Sequence, residues 1–104
     1  MKIAILGTGM VGTTLARDLT AAGHTVTIGT RDPQAAHEVP GGVVLTTFAQ
    51  APDGADLVIN ALNGAAAEAV LAGIREQLAD LTLLELSNPL DFSQGFPPRL
   101  FTEQ

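Results

Sequence analysis

The chain contains no cysteine, tryptophan or tyrosine, and its only aromatic residues are four phenylalanines. The lack of cysteine excludes a disulfide scaffold, a thiolate metal site and a cysteine nucleophile. Lysine and arginine are also scarce, with five against eleven acidic residues, which gives a net charge of −6. Such an acidic chain is a poor match for a nucleic-acid surface or an anionic membrane. An anionic ligand would therefore have to be bound at one local site.

Long apolar runs are missing as well. No run approaches the roughly 18 residues of a membrane span, and the start, Met1-Lys2 followed directly by a strand pattern, lacks the features of a signal peptide. The sequence therefore favours a cytoplasmic protein. Its 104 residues, 46% of them apolar, suit one globular domain. We expect a single domain over 1–104, in which 88–104 form an extended tail.

Short apolar runs alternate with amphipathic or connecting segments along the chain. This alternation is typical of parallel strands joined by right-handed crossovers. The predicted strands cover 2–6, 25–28, 43–45, 56–60 and 82–86. The predicted helices cover 10–22 and 64–81, with a short helix beginning at Asp32-Pro33. The sequence thus predicts an α/β fold, a Rossmann-type doubly wound parallel sheet of about five strands in the order 3-2-1-4-5.

A glycine-rich motif follows the first predicted strand and opens the first predicted helix. It has the pattern G-x-G-x-x-G and reads Gly7-Thr8-Gly9-Met10-Val11-Gly12. In dinucleotide-binding folds the first glycine permits a tight turn, the second lets a pyrophosphate approach the backbone, and the third lets the helix pack close to the strand. The pyrophosphate lies on N–H groups at the positive end of the helix. These residues are therefore predicted to bind a dinucleotide, the alternative being ordinary turn and cap glycines.

The end of the second predicted strand bears on which dinucleotide is bound. NAD-binding domains place an Asp or Glu about 20 residues after the glycine motif, on the ribose 2′-hydroxyl, but here the chain reads Gly29-Thr30-Arg31. The Arg31 guanidinium offers a fork of donors to a 2′-phosphate, and Thr30 adds a hydroxyl. The sequence thus favours NADP over NAD. Two alternatives stay open: Arg31 is a solvated surface residue, or Asp32 is the NAD-type acid rather than a helix cap.

The fourth predicted strand ends at the carboxyl edge of the sheet, where doubly wound folds bind their ligands. It ends in Asn60-Ala61-Leu62, whose small side chains let a cofactor ribose lie along the backbone. Asn60 and the following Asn63 are candidate donors to the ribose or the nicotinamide. Asn63 suits the cap of the next helix equally well.

The fifth predicted strand ends at the same edge and is followed by Asn88-Pro89, which topology places near the nicotinamide. Glu85 is out of place within this otherwise apolar strand. A position at the edge of the sheet would explain it, because edge charges discourage further pairing. No catalytic residue and no metal site are predicted, since the chain has no H-x-E-x-H pattern, no G-x-S-x-G elbow and no paired carboxylates with an obvious pocket.

Several stretches carry a family resemblance. They are the glycine motif at 7–12, the segment 23–32, and the tail motifs Ser87-Asn88-Pro89-Leu90-Asp91-Phe92 and Gly95-Phe96-Pro97-Pro98. Together they span almost the whole chain and resemble the N-terminal NADP-binding domain of the NADPH-dependent coenzyme F420 reductase family. The tail motifs are more specific than the glycine motif.

The resemblance implies hydride transfer between NADP(H) and a deazaflavin of the coenzyme F420 type. It matches Thr8, Thr30 and Arg31 to cofactor contacts, and Asn88-Pro89 to a loop near the nicotinamide. Such a reaction needs two rings held at close range and little acid–base help, which is consistent with the lack of catalytic residues.

Members of that family continue well beyond a chain of this length, to form the surface against which the deazaflavin binds. The sheet is therefore expected to be truncated, and the activity of the family is expected to need residues that this chain lacks. One alternative is an NADP(H)-binding sensor or non-catalytic module that lacks the acceptor-binding part, and another is an imine or keto-acid reductase on the same fold. A fifth strand left at the edge also predicts a homodimer or another partner there.

Overall fold

A computed structural model describes residues 1–34, 39–62 and 64–85, in which five strands form a single sheet. The strands are β1 (Lys2–Leu6), β2 (Thr25–Thr30), β3 (Val44–Thr47), β4 (Leu57–Asn60) and β5 (Thr82–Glu85). Their order is β3-β2-β1-β4-β5, and every neighbouring pair is parallel. The predicted fold class and strand order are confirmed.

Three helices connect the strands within these residues: α1 (Met10–Ala21) between β1 and β2, and α2 (Gly64–Gly73) and α3 (Arg75–Leu78) between β4 and β5. The prediction of one helix over 64–81 is wrong. The helix is interrupted at Ile74, whose φ of −118° and ψ of 23° are not helical. The preceding Gly73 is a poor helix former, and the Ile74 side chain is buried in the core. The apolar period continues across the break because both helices cover the same face.

The helices lie on opposite faces of the sheet, since successive side chains of a strand point to opposite faces. On one face Ile5 of β1 packs with Ala16 of α1 in a buried cluster. On the other face Leu6 packs with Ile74, and Val70 of α2 borders that cluster. The central strands are covered on both sides, which is why their sequences are continuous apolar runs rather than alternating ones.

The carboxyl ends of four strands lie side by side. In the register of the sheet, Leu6 of β1 is next to Gly29 of β2 on one side and to Asn60 of β4 on the other. Asn60 is in turn next to Glu85 of β5. The loops that leave these strand ends therefore meet at one edge, as the topology requires.

Within the described ranges β5 has a single neighbour, β4, and so forms one edge of the sheet. Its residues Leu83 and Leu84 are 37% and 39% exposed, whereas their partners in β4, Val58 and Ile59, are buried. The sheet is thus fully covered at its centre and only partly covered at this edge. Over the described residues, none of the helices has the length and apolar character needed to cross a membrane.

Candidate dinucleotide-binding site

The loop that leaves β1 turns sharply at Gly7, as the sequence predicts. The φ of Gly7 is +113°, a conformation that L side chains rarely adopt. Its N–H donates to the carbonyl oxygen of Gly29 at 2.9 Å, which ties the loop to the end of β2. A Cβ at Gly7 would lie 3.1 Å from Cδ2 of Leu62, so the turn is also closely packed against the end of β4.

The other two glycines of the motif differ in what surrounds them. A Cβ at Gly12, in the first turn of α1, would lie only 2.7 Å from the carbonyl oxygen of Gly7, so this position allows α1 to approach the end of β1. A Cβ at Gly9 would meet no atom of the described residues within 4 Å, apart from its chain neighbours. Gly9 therefore borders open space in front of the helix. Its φ of −69° is one that any residue can adopt, so the backbone conformation does not require glycine here.

The amino end of α1 faces this open space with backbone donors. The first hydrogen bond into the helix runs from the Thr13 N–H to the Gly9 carbonyl oxygen at 3.0 Å. The N–H groups of Met10, Val11 and Gly12 precede it, and an α-helix provides no internal acceptor for them. The side chains of Met10 and Val11 are exposed, so they leave this end of the helix accessible. The helix end thus presents the donors and dipole that an anionic group requires.

A cavity of about 330 Å³ lies at the end of β2. Thr30, which is buried, and Arg31, which is exposed, line one side of it. Its other walls come from the turn after β3 and from α2, and are largely apolar: Thr47, Phe48, Ala49, Ala69, Val70, Gly73 and Ile74. The cavity therefore combines a largely apolar lining with the one guanidinium of Arg31.

Gly29 sets the position of one cavity wall, a role that sequence reasoning missed. A Cβ there would lie 3.0 Å from Cβ of Ala51 and 3.2 Å from Cα of Phe48. The turn after β3 can therefore approach β2 closely only because residue 29 has no side chain. The only signal in the sequence is a glycine inside a strand, which indicates close backbone approach.

Asp32 has a local structural role. Its Oδ1 accepts a hydrogen bond from the Gln34 N–H at 3.0 Å, as a turn-capping aspartate does. This contact agrees with the interpretation of Asp32 as a cap. The helix expected to begin at Asp32-Pro33 would extend into 35–38, which lie outside the described residues.

The end of β4 is held by hydrogen bonds within the protein. Asn60 is fully buried, and its Oδ1 accepts from the Leu62 N–H at 3.0 Å. Its Nδ2 donates to Oε1 of Glu85 at 2.9 Å, and the Ala61 N–H donates to the Leu6 carbonyl oxygen at 3.0 Å. Asn60 is therefore not an open donor at the edge. Ala61 and Leu62 are half-buried beside the glycine loop.

The interpretation of Glu85 as an edge charge is incomplete. β5 does lie at the edge of the sheet over the described part of the chain, but the Glu85 side chain is half-buried and bonded to Asn60. The predicted contacts Asn88 and Pro89, the alternative cap Asn63 and the tail 88–104 lie outside the described residues. Among the residues that are described, no group of acidic and histidine side chains is arranged to hold a metal ion.

Comparison with known proteins places this geometry in context. The family model described as NADP oxidoreductase, coenzyme F420-dependent, matches residues 2–89. No curated protein matches the chain. The crystal structure of a provisionally assigned F420-dependent NADP-reductase from Arthrobacter sp. FB24 is 48% identical, with a TM-score of 0.77. The match covers 97% of this chain and 51% of that one, so this chain spans about half the length of that relative.

Two more distant structures share the fold alone. Pyrroline carboxylate reductase from Plasmodium falciparum, with NADP bound, is 16% identical with a TM-score of 0.69, over 83% of this chain and 33% of that one. An imine reductase variant from Myxococcus stipitatus, in complex with NAD+, is also 16% identical, with a TM-score of 0.71 over 86% and 32% of the two chains.

Proposed function

Because the chain belongs to the coenzyme F420-dependent NADP oxidoreductase family, we propose that it binds NADPH along the carboxyl edge of its sheet and positions it for hydride transfer to a deazaflavin. The observation that carries this proposal is the pairing of two features at that edge. One is the open space in front of Gly9 and the donors of α1, and the other is the cavity beside Arg31.

The glycine loop is the proposed pyrophosphate site. The N–H groups of Met10, Val11 and Gly12 would donate to phosphate oxygens, helped by the positive end of the α1 dipole. Gly9 leaves the space that the phosphates would fill, since no atom of the described residues, apart from the chain neighbours of Gly9, lies within 4 Å of a Cβ placed there. Thr8 adjoins this space and is half-buried, and the family resemblance supports it as a further cofactor contact.

The end of β2 is the proposed site for the adenosine 2′-phosphate. Arg31 would pair with the phosphate, and Thr30 lines the same cavity. The apolar lining, which includes Phe48 and Val70, suits an adenine ring. An acidic residue would repel a 2′-phosphate, and Asp32, which follows Arg31 directly, already accepts a hydrogen bond from Gln34. This end of the site therefore supports NADP rather than NAD.

The nicotinamide is proposed to lie against the turn at Ala61 and Leu62, with Asn88-Pro89 assigned to it by the family resemblance. Bound NADPH supplies a hydride from its nicotinamide ring. The contribution of the protein is to bind and orient, because stacking the two rings at close range requires little acid–base catalysis. The half-buried Leu62 side chain, packed on Gly7, offers an apolar surface for this purpose.

Two measurements test the proposal. Titration of the chain with NADPH and NADH should give clearly tighter binding of NADPH, and equal affinities would contradict the assignment of Arg31. Steady-state reduction of a deazaflavin by NADPH then separates an oxidoreductase from a binding module. Because the chain spans about half of its Arthrobacter relative, tight NADPH binding without turnover would favour the sensor or non-catalytic module for this chain.

The edge of β5 supports a further proposal about partners. Its partly exposed Leu83 and Leu84 leave apolar surface and backbone groups that another strand can cover. We propose that this edge pairs with a second copy of the chain or with another partner. Solution scattering of the chain is expected to give a dimer, and a monomer at all concentrations would contradict self-association.

A further inference from the structure

We propose that Glu85 is a positioning residue of the dinucleotide site, which acts through Asn60 on the turn that carries Ala61 and Leu62. The inference rests on the proposed function, since it concerns the site to which NADPH is assigned. Glu85 would not touch the cofactor. Its role would be to fix the orientation of one buried amide, and through it the backbone that borders the glycine loop.

The chemistry of the pair fixes the orientation of Asn60. An ionised carboxylate accepts hydrogen bonds and cannot donate them. Nδ2 of Asn60 must therefore face Glu85, and it lies 2.9 Å from Oε1 of Glu85. The Oδ1 atom must then point the other way. Asn60 is fully buried and Glu85 half-buried, so water competes weakly for this charge-assisted bond.

The orientation of Asn60 determines the backbone turn that follows. Its Oδ1 accepts from the Leu62 N–H at 3.0 Å, two residues along the chain. This is the pattern by which an asparagine side chain stabilises a turn after its own position. A flipped Asn60 would place a donor against the Leu62 N–H, and the turn would lose its hydrogen bond.

The turn that carries Ala61 and Leu62 packs against the glycine loop. Cδ2 of Leu62 lies 3.1 Å from where a Cβ of Gly7 would be, and Cβ of Ala61 lies 3.5 Å from the corresponding position at Gly12. A shift of the turn would therefore be passed to the loop assigned to the pyrophosphate. This path explains why an acid is found in a strand whose other residues are Thr82, Leu83 and Leu84.

A set of variants at Glu85 tests the proposal. Glu85→Leu removes the acceptor and is expected to raise the Kd of NADPH about tenfold, because the buried Asn60 amide loses its hydrogen bond to the carboxylate. Glu85→Gln keeps an oxygen that can accept from Asn60 and should remain within about threefold of the unmodified chain. Glu76→Leu, which removes an exposed acid from α3, is the control for the change in net charge and should have no effect.

Amide hydrogen exchange without any cofactor gives a second readout. Protection of the Leu62 N–H should fall about tenfold in Glu85→Leu and stay unchanged in Glu85→Gln, while the amide of Val58 in β4 reports global stability. Unchanged Leu62 protection in Glu85→Leu would overturn the proposal, and so would an equal loss in both variants. If the unmodified chain fails to bind NADPH, the proposed function fails, while the exchange result still decides the role of Glu85.

Discussion

The two halves of the sheet contribute to the site in different ways. In the β1–α1–β2 half, both strands are largely buried and the proposed pyrophosphate site consists of backbone N–H groups and glycines. In the β4–α2–α3–β5 half, the outer strand is partly exposed, and the turn at 60–62 is held by the side chains of Asn60 and Glu85.

This difference separates two ways of building a binding edge. A site made of backbone groups needs only glycine at a few defined positions, and a short sequence motif is enough to show those positions. A site made of a side-chain network needs partners that are distant in sequence, because Asn60 and Glu85 come together only when β4 and β5 pair. The first half should therefore respond to added volume, and the second to lost hydrogen bonds.

The largest expected effect is the loss of stability in Gly12→Ala. The new Cβ would lie 2.7 Å from the carbonyl oxygen of Gly7, so α1 would have to move away from the end of β1. We expect a destabilisation of about 3 kcal/mol in chemical denaturation. Gly41→Ala is the matched control, since in the part of the chain that the structure describes a Cβ there meets no atom within 4 Å beyond its chain neighbours. Comparable stability of the two variants would show that close packing of α1 is not essential.

Arg31→Ala should have the next largest effect, on binding rather than stability. Arg31 is exposed, so its removal should leave the melting temperature unchanged. We expect NADPH binding to weaken by about 2 kcal/mol, or roughly thirtyfold in Kd, and NADH binding to stay the same. Calorimetric titration with both cofactors measures this, with Arg75→Ala as a control of equal charge. An equal loss for both cofactors would mean that Arg31 does not read the 2′-phosphate.

Gly9→Ala should affect binding without affecting the fold. The backbone conformation of Gly9 suits alanine, and its Cβ would occupy the open space in front of α1. We expect an unchanged melting temperature and about tenfold weaker binding, equally for NADPH and NADH because both contain a pyrophosphate. Retained affinity would show that phosphates do not approach the loop at this position. Together, Gly9→Ala and Arg31→Ala test the proposed pyrophosphate site and the proposed 2′-phosphate site separately.

The first half of the sheet was largely predictable from sequence. β1 has the predicted bounds, α1 ends one residue before its prediction, and the sharp turn at Gly7 follows from its place in the motif. These features are predictable because they depend on local patterns, namely an apolar run, a helical period and the position of a glycine.

The second half was predictable only in outline. The helical spacing of apolar residues continues through Ile74, although the helix itself is interrupted there. This spacing shows which face of a segment is buried, but it does not show whether the helical backbone is continuous. The bond between Asn60 and Glu85 could not be read from the sequence, since the two residues are 25 positions apart. The acid within an apolar strand was a visible signal, but it did not identify its partner. The close approach of Phe48 and Ala51 to Gly29 depends on tertiary packing in the same way.

The smallest expected effect concerns the edge strand and compares it, by stability, with the buried strand beside it in the same half of the sheet. Leu84 of β5 lies beside Ile59 of β4 in the register, but Leu84 is 39% exposed and Ile59 only 3%. Leu84→Ala should therefore cost less than about 1 kcal/mol, whereas Ile59→Ala should cost about 3 kcal/mol because it leaves a cavity in the core. Denaturation at low protein concentration measures the chain itself. If Leu84→Ala proves as costly as Ile59→Ala and its cost grows with protein concentration, the β5 edge is covered by a second chain, as proposed for the partner surface.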